Sequence, residues 1–139
     1  MRVTLKTSAE QREFIVKIQY DLTKPKTAIK YGKDEHGRDY ETTYTWQERV
    51  TTVSIQEWFK ESNPKSRTVF QGKAICDYHD NKRYRKRKGK LLAYKAALDE
   101  MHCQGVINDV EYDALLMLEL SATAYEIDLA ATATIKRIM

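Results

Sequence analysis

Between Asp80 and Lys90 the chain sets seven basic residues, Lys82, Arg83, Arg85, Lys86, Arg87, Lys88 and Lys90, against one acid, Asp80. This stretch carries +6 in a chain whose formal charge is +4, so the remainder sums to −2. The positive charge is therefore local, not a property of the whole surface. A helix opening near Asn81 would align Lys82, Lys86 and Lys90 along one side, with Arg83 and Arg87 beside them and Arg85 and Lys88 on the other sides. Like charges at i,i+4 cost a few tenths of a kcal/mol per pair, and cations in a first turn oppose the helix dipole by roughly 0.3 to 1 kcal/mol. A bound anion removes both costs, because the opening amides attract phosphate and arginine adds two-pronged hydrogen bonds to its oxygens.

Tyr84, inside the run, has the geometry either to stack on a base or to cover a sheet edge. The segment thus reads as a non-enzymatic site for a phosphate-bearing ligand, a nucleotide or a nucleic acid, formed by Lys82, Arg83, Tyr84, Arg85, Lys86, Arg87, Lys88 and Lys90. The bland alternative is a solvated face that keeps the protein soluble. In a eukaryote, Lys82 to Lys88 would also pass as a nuclear-localisation signal.

Other chemistry is weaker. Cys76 and His79, with His102 and Cys103 further on, are four potential zinc ligands. Their spacing fits no standard finger, and neighbours on a helix diverge by about 100°. Two buried thiols and two surface imidazoles are the simpler reading. Asp77, His79 and Asp80 have the residue types to hold a metal for phosphodiester cleavage, but turn formation and helix capping account for them. There is no Gly-rich phosphate loop, nucleophile elbow or HExxH motif, and neither a cofactor nor an enzymatic activity is expected.

The basic run needs a scaffold to position it. A chain of 139 residues that is 42% hydrophobic and 32% charged has the size and composition of one globular domain. No run approaches the roughly 18 apolar residues of a membrane span. Met1 to Thr7 lacks the apolar core of a signal peptide, so a cytoplasmic protein with reduced thiols is expected.

Phe14, Val16, Ile18 and Tyr20 alternate as in a strand, residues 23 to 40 read as a long mobile connection, and Thr42 to Val53 as a second long strand. Ser54 and Glu57 have capping-box spacing for a short helix ending near Pro64. Val69 to Cys76 is the third strand, with Gly72 at a bulge or close approach.

From Asp80 a helix is expected, with Tyr84, Leu91, Tyr94, Leu98 and Met101 on its buried face and Gly105 as C-cap. Asn108 and Glu111 form a capping box for one long helix from Val110 to Met139. The predicted fold class is α+β: an antiparallel sheet in a β-rich part, 1–78, followed by a C-terminal antiparallel helical hairpin in a two-helix part, 80–139. Leu115, Leu116, Leu118, Leu120 and Leu129 on that last helix predict a homo-oligomer.

The string Gly105-Val106-Ile107-Asn108-Asp109-Val110-Glu111-Tyr112 resembles the helix-turn-helix joint of many small bacterial and phage proteins. Gly72-Lys73-Ala74-Ile75-Cys76-Asp77-Tyr78-His79-Asp80, followed by Tyr84, Gly89 and Leu91 to Leu98, resembles a pattern of small phage-encoded accessory proteins. Tyr84 and Lys95 stand where that pattern has phenylalanine and arginine. The layout is also similar to that of the cyclic-nucleotide sponges that oppose Thoeris defence. The resemblance implies a phage anti-defence protein acting in the bacterial cytoplasm, its ligand a nucleotide second messenger or a nucleic acid. The alternative to such a binder is an interaction protein, an anti-CRISPR-like inhibitor that meets a bacterial defence protein through its basic helix.

Overall fold

The computed structural model describes residues 1–7, 10–58, 68–76, 86–121, 123–130 and 134–138. Its strands are β1 (Arg2–Lys6), β2 (Gln11–Leu22), β3 (Lys26–Lys33), β4 (Asp39–Trp46), β5 (Arg49–Trp58), β6 (Val69–Cys76), β7 (Ala124–Asp128) and β8 (Thr134–Ile138). Its helices are α1 (Lys86–Cys103) and α2 (Asp109–Leu116), both between β6 and β7. Six strands form one sheet in the order β6-β5-β2-β1-β7-β8, while β3 and β4 form a separate ribbon.

The period-two pattern of β2 decides which face of the sheet is covered. Phe14 and Val16 point to the helices and are buried, whereas Lys17 and Gln19 are exposed. Register carries that face across the sheet. Val3 lies opposite Phe14, Ile55 opposite Val16, and Phe70 opposite Ile55. On the other face, Gln71, Lys73 and Ile75 are exposed.

The predicted third strand holds, and Gly72 within it is a close approach. A Cβ there would collide with the carbonyl oxygen of Ala93 and lie 2.7 Å from the Ala97 amide nitrogen. The α1 backbone therefore rests directly on β6 at the buried Ala93 and Ala97, and Gly89, one turn earlier, is buried as well. Tyr94, Leu98 and Met101 fill the core beside them, each no more than 1% exposed. Leu91, expected on this face, is 46% exposed. Ala93 and Ala97, strong helix formers, are themselves the contact surface, whereas Ala96 is exposed.

Tyr94 crosses the core and its hydroxyl donates to the carbonyl of Leu115 at 2.7 Å. Burial pushes this phenol well above its ordinary range. Tyr94→Phe would remove one donor from a carbonyl that the Leu118 amide also reaches, at 3.2 Å. We expect a loss of about 0.5–1.5 kcal/mol, the net worth of one hydrogen bond, read from the urea midpoint at unchanged slope.

The joint between the helices forms as expected. Gly105 has φ 74°, the left-handed conformation of a helix stop. Asn108 Oδ1 accepts from the Glu111 amide at 2.8 Å, and Glu111 Oε1 accepts from the Asn108 amide at 3.0 Å.

The C-terminal half overturns the predicted architecture. α2 ends at Leu116, and the chain returns to the sheet as β7 and β8. β7 runs parallel to β1, which makes the sheet mixed rather than antiparallel. The two helices are thus an insertion before the last two strands, not a C-terminal hairpin, and residues 80–139 are not a two-helix part. A stretch free of proline and glycine favours a helix on local grounds. In Ala124–Asp128, however, Tyr125 and Ile127 are buried and alternate with exposed or half-exposed neighbours. Five residues are too few for periodicity to decide alone, and the edge of β1 supplies the pairing partner. Leu115, Leu118 and Leu120 belong to the core, so the apolar surface invoked for a homo-oligomer is largely consumed within the chain.

The first half differs as well. Most of residues 23–40, read as a mobile connection, is ordered: 26–33 form a strand that pairs with 39–46. Asp34 Oδ1 accepts from the amides of His36 and Arg38, at 2.9 and 2.8 Å, and Gly37 takes φ 75°, which closes the hairpin. Thr42 to Val53 is divided at Gln47 and Glu48 between β4 and β5. Residues 54–58, the start of that predicted helix, lie in β5, and 59–64 lie outside the described residues.

Candidate phosphate-binding site

Of the predicted site residues, Lys82, Arg83, Tyr84 and Arg85 lie outside the described residues, as do Asp77, His79 and Asp80. Lys86 is the first residue of α1, and Arg87, Lys88 and Lys90 follow in its first turns. The structure brings this cationic end together with the segment that follows α2. Between them lies an open cleft of about 340 Å³. Arg87, Lys90 and Leu91 form one wall, and Leu116 to Leu120 form the other.

The helix is fixed at this end by local packing. Gly89 is buried, so the turn that carries Arg87, Lys88 and Lys90 is seated on the body of the protein. Arg87 and Lys88 remain exposed on the outer sides. Lys90 is half-buried, and its ammonium donates to the Leu120 carbonyl at 3.4 Å. Lys90 is therefore partly committed within the fold, while Arg87 and Lys88 face solvent.

The electrostatics differ along the helix. The first turn of α1 contains no acid. Among the described residues, no carboxylate forms an ion pair with Arg87, Lys88 or Lys90. Glu119, on the far wall of the cleft, is exposed and makes none with them. Two turns further on, Lys95 is paired with Asp99 at 2.9 Å. Hydrogen bonds from Tyr112 and Lys95 hold the Asp99 carboxyl below its usual range. Among the described residues, charges are thus paired in the second half of α1 and unpaired at its start.

Such an arrangement attracts anions. Of the four potential zinc ligands, His102 is exposed and its Nε2 contacts Asp109 Oδ1 at 2.5 Å. Cys103 is exposed rather than buried as expected. His79 and the Cys76 side chain fall outside the described residues. No group of three or more His, Cys, Asp or Glu among the described residues is placed to hold a metal ion. No described helix is long and apolar enough to cross a membrane.

The residues that sequence reasoning missed are those of the β3–β4 arm. Nearly every residue of both strands is exposed. At about 3.3 Å per residue, each eight-residue strand carries the arm roughly 26 Å from its base. The signal that would have found it is the turn chemistry of Asp34 and Gly37, flanked by β-branched and aromatic residues. No protein-family model, curated protein or solved structure matches this chain.

Proposed function

We propose that this protein is a non-enzymatic binder of a phosphate-bearing ligand, a nucleotide or a nucleic acid, held at the N-terminal end of α1. The single observation that carries the proposal is the set of exposed cations, Arg87 and Lys88, without a described carboxylate partner, on a first turn that also lacks acids. The opening amides and the helix dipole favour an anion at the same place. The cleft beside Arg87 and Lys90 gives the ligand a second wall. A phage-encoded, anti-defence role in the bacterial cytoplasm, suggested by the resemblance of residues 72 to 98, belongs to the same proposal.

One further observation favours a protein partner as the second reading. Leu91, Leu92, Leu116 and Met117 are 46%, 53%, 37% and 76% exposed near the cations. A mixed apolar and basic surface would suit an anti-CRISPR-like inhibitor that docks on a bacterial defence protein.

The two readings separate in a thermal-shift screen of nucleotides and oligonucleotides. A phosphate ligand is expected to raise the melting temperature of the wild type. The combined substitution Arg83→Ala, Arg85→Ala, Arg87→Ala should abolish that rise while leaving the unliganded melting temperature unchanged. A rise that persists in the variant would remove the assignment.

A further inference from the structure

The exposed arm offers a surface that the α1 reading does not use. Cross-strand register sets Lys26 opposite Trp46, Ala28 opposite Tyr44, Lys30 opposite Thr42 and Gly32 opposite Tyr40, all on one face of the ribbon. That face carries three aromatic rings and two lysines and no carboxylate. The acids of the two strands, Asp39 and Glu41, fall on the opposite face.

The rings are laid out for contact. A Cβ on Gly32 would lie 2.5 Å from Tyr40 Oη and 2.6 Å from Cζ, so the Tyr40 ring rests over the glycine and turns its other side outward. Tyr44 and Trp46 are stacked, with centroids 5.3 Å apart and an interplanar angle of 27°. Tyr40 and Tyr44 are 44% and 39% exposed. The missing side chain at Gly32 is what leaves room for the Tyr40 ring to lie across the ribbon.

We propose that this face of the arm binds single-stranded nucleic acid, with bases stacked on Tyr40, Tyr44 and Trp46 and the backbone held by Lys30. Aromatic rings accept any base by its face, and a nearby cation holds the phosphate. A duplex keeps those base faces inside its own stack, so the surface selects unpaired strands. Lys26 pairs with Glu48 at 2.8 Å at the base of the arm, which leaves Lys30 as the main phosphate contact. On the reverse face Lys33 stands opposite Asp39, which leaves Glu41 as the acid that repels the backbone there. This inference goes beyond the phosphate reading of α1 and shares no residue with it.

The test uses the full chain carrying Trp58→Phe, which leaves Trp46 as the only tryptophan. A twelve-nucleotide oligo-dT should quench Trp46 emission, and its duplex with oligo-dA should not. Tyr40→Ala and Tyr44→Ala should each weaken binding about tenfold. Tyr31→Ala, on the opposite face, should leave affinity unchanged, and Tyr44→Phe should retain it, which guards against simple loosening of the arm.

Absence of quenching, indifference to the alanine substitutions or loss of affinity in Tyr44→Phe would overturn the inference. So would a Trp46 signal that depends on protein concentration without oligonucleotide, because the face would then meet a second copy of the chain. In the Arg83, Arg85, Arg87 triple-alanine protein, persistent ring-dependent quenching supports the arm even if the α1 reading has failed. Conversely, an oligonucleotide that binds through those arginines without perturbing Trp46 sinks the arm alone.

Discussion

Gly72→Ala is expected to lower the unfolding free energy by about 3 kcal/mol or more, at the upper end of the range for over-packed cores. A new methyl group elsewhere in a core can push a side chain into another rotamer. Here it meets the Ala93 carbonyl and the Ala97 amide, both in the backbone of α1. The helix must lift as a unit or the β5–β6 pairing must break, because neither group can rotate away. Urea denaturation followed by far-UV circular dichroism checks this, with Gly72→Val falling further. Alanine at full wild-type stability would mean that α1 does not lie against β6. The same substitution would displace the cationic first turns, since they reach the body through the same face of the helix as Ala93 and Ala97.

Arg12→Ala is expected to cost a similar amount, about 3 kcal/mol, by stranding the buried Glu111 and the half-buried Glu57. Arg12 holds Glu57 with two bonds, Nε to Oε1 at 2.7 Å and Nη2 to Oε2 at 2.9 Å. Its Nη1 donates to Glu111 Oε2 at 3.0 Å and its Nη2 to the Val106 carbonyl at 2.9 Å. The guanidinium also lies 5.1 Å from the centre of the Phe14 ring. Hydrogen bonding to Glu57 raises its pKa further above an already high value, so it stays charged throughout the working range.

One side chain thus ties β2 and β5 to the joint between the helices. Glu111 serves both this clasp and the cap of α2. A double-mutant cycle with Glu57→Gln should give a coupling energy of about 0.5–3 kcal/mol, because the amide leaves less unpaired charge when the arginine is gone. Strict additivity would argue against the clasp.

The parts of the fold legible in the sequence are those fixed by strong local chemistry. Alternation in β2, the capping box at Asn108, the left-handed stop at Gly105 and the narrow contact at Gly72 each depend on a few adjacent residues. What escapes such a reading is set by distant partners. β7 carries only two inward residues, Tyr125 and Ile127, and becomes a strand because β1 offers an open edge after two helices have intervened. Arg12, Glu57 and Glu111 stand far apart in the chain, and nothing in their spacing announces that they meet.

The candidate site is legible in another sense. Its charge excess is visible by composition, and its described members, Arg87, Lys88 and Lys90, do lie at the start of a helix. The opposite wall of the cleft is not foreseeable, because local pattern puts Leu116 to Leu120 inside a long helix. The aromatic face of the arm is hidden for a related reason. A segment containing Pro25, Gly32 and Gly37 looks like a loop until the pairing register puts Gly32 beneath Tyr40.

If the start of α1 awaits a phosphate from outside the chain, the most direct measurement is the salt dependence of binding to a labelled oligonucleotide. It compares the wild type with the Arg83, Arg85, Arg87 triple-alanine protein. Affinity should fall steeply with salt in the wild type. The variant's log–log slope should be shallower by about 2 to 3, at roughly 0.7 to 0.9 for each phosphate that the arginines no longer neutralise. Identical slopes for the two proteins, or an affinity indifferent to salt, would contradict a phosphate site at this helix end.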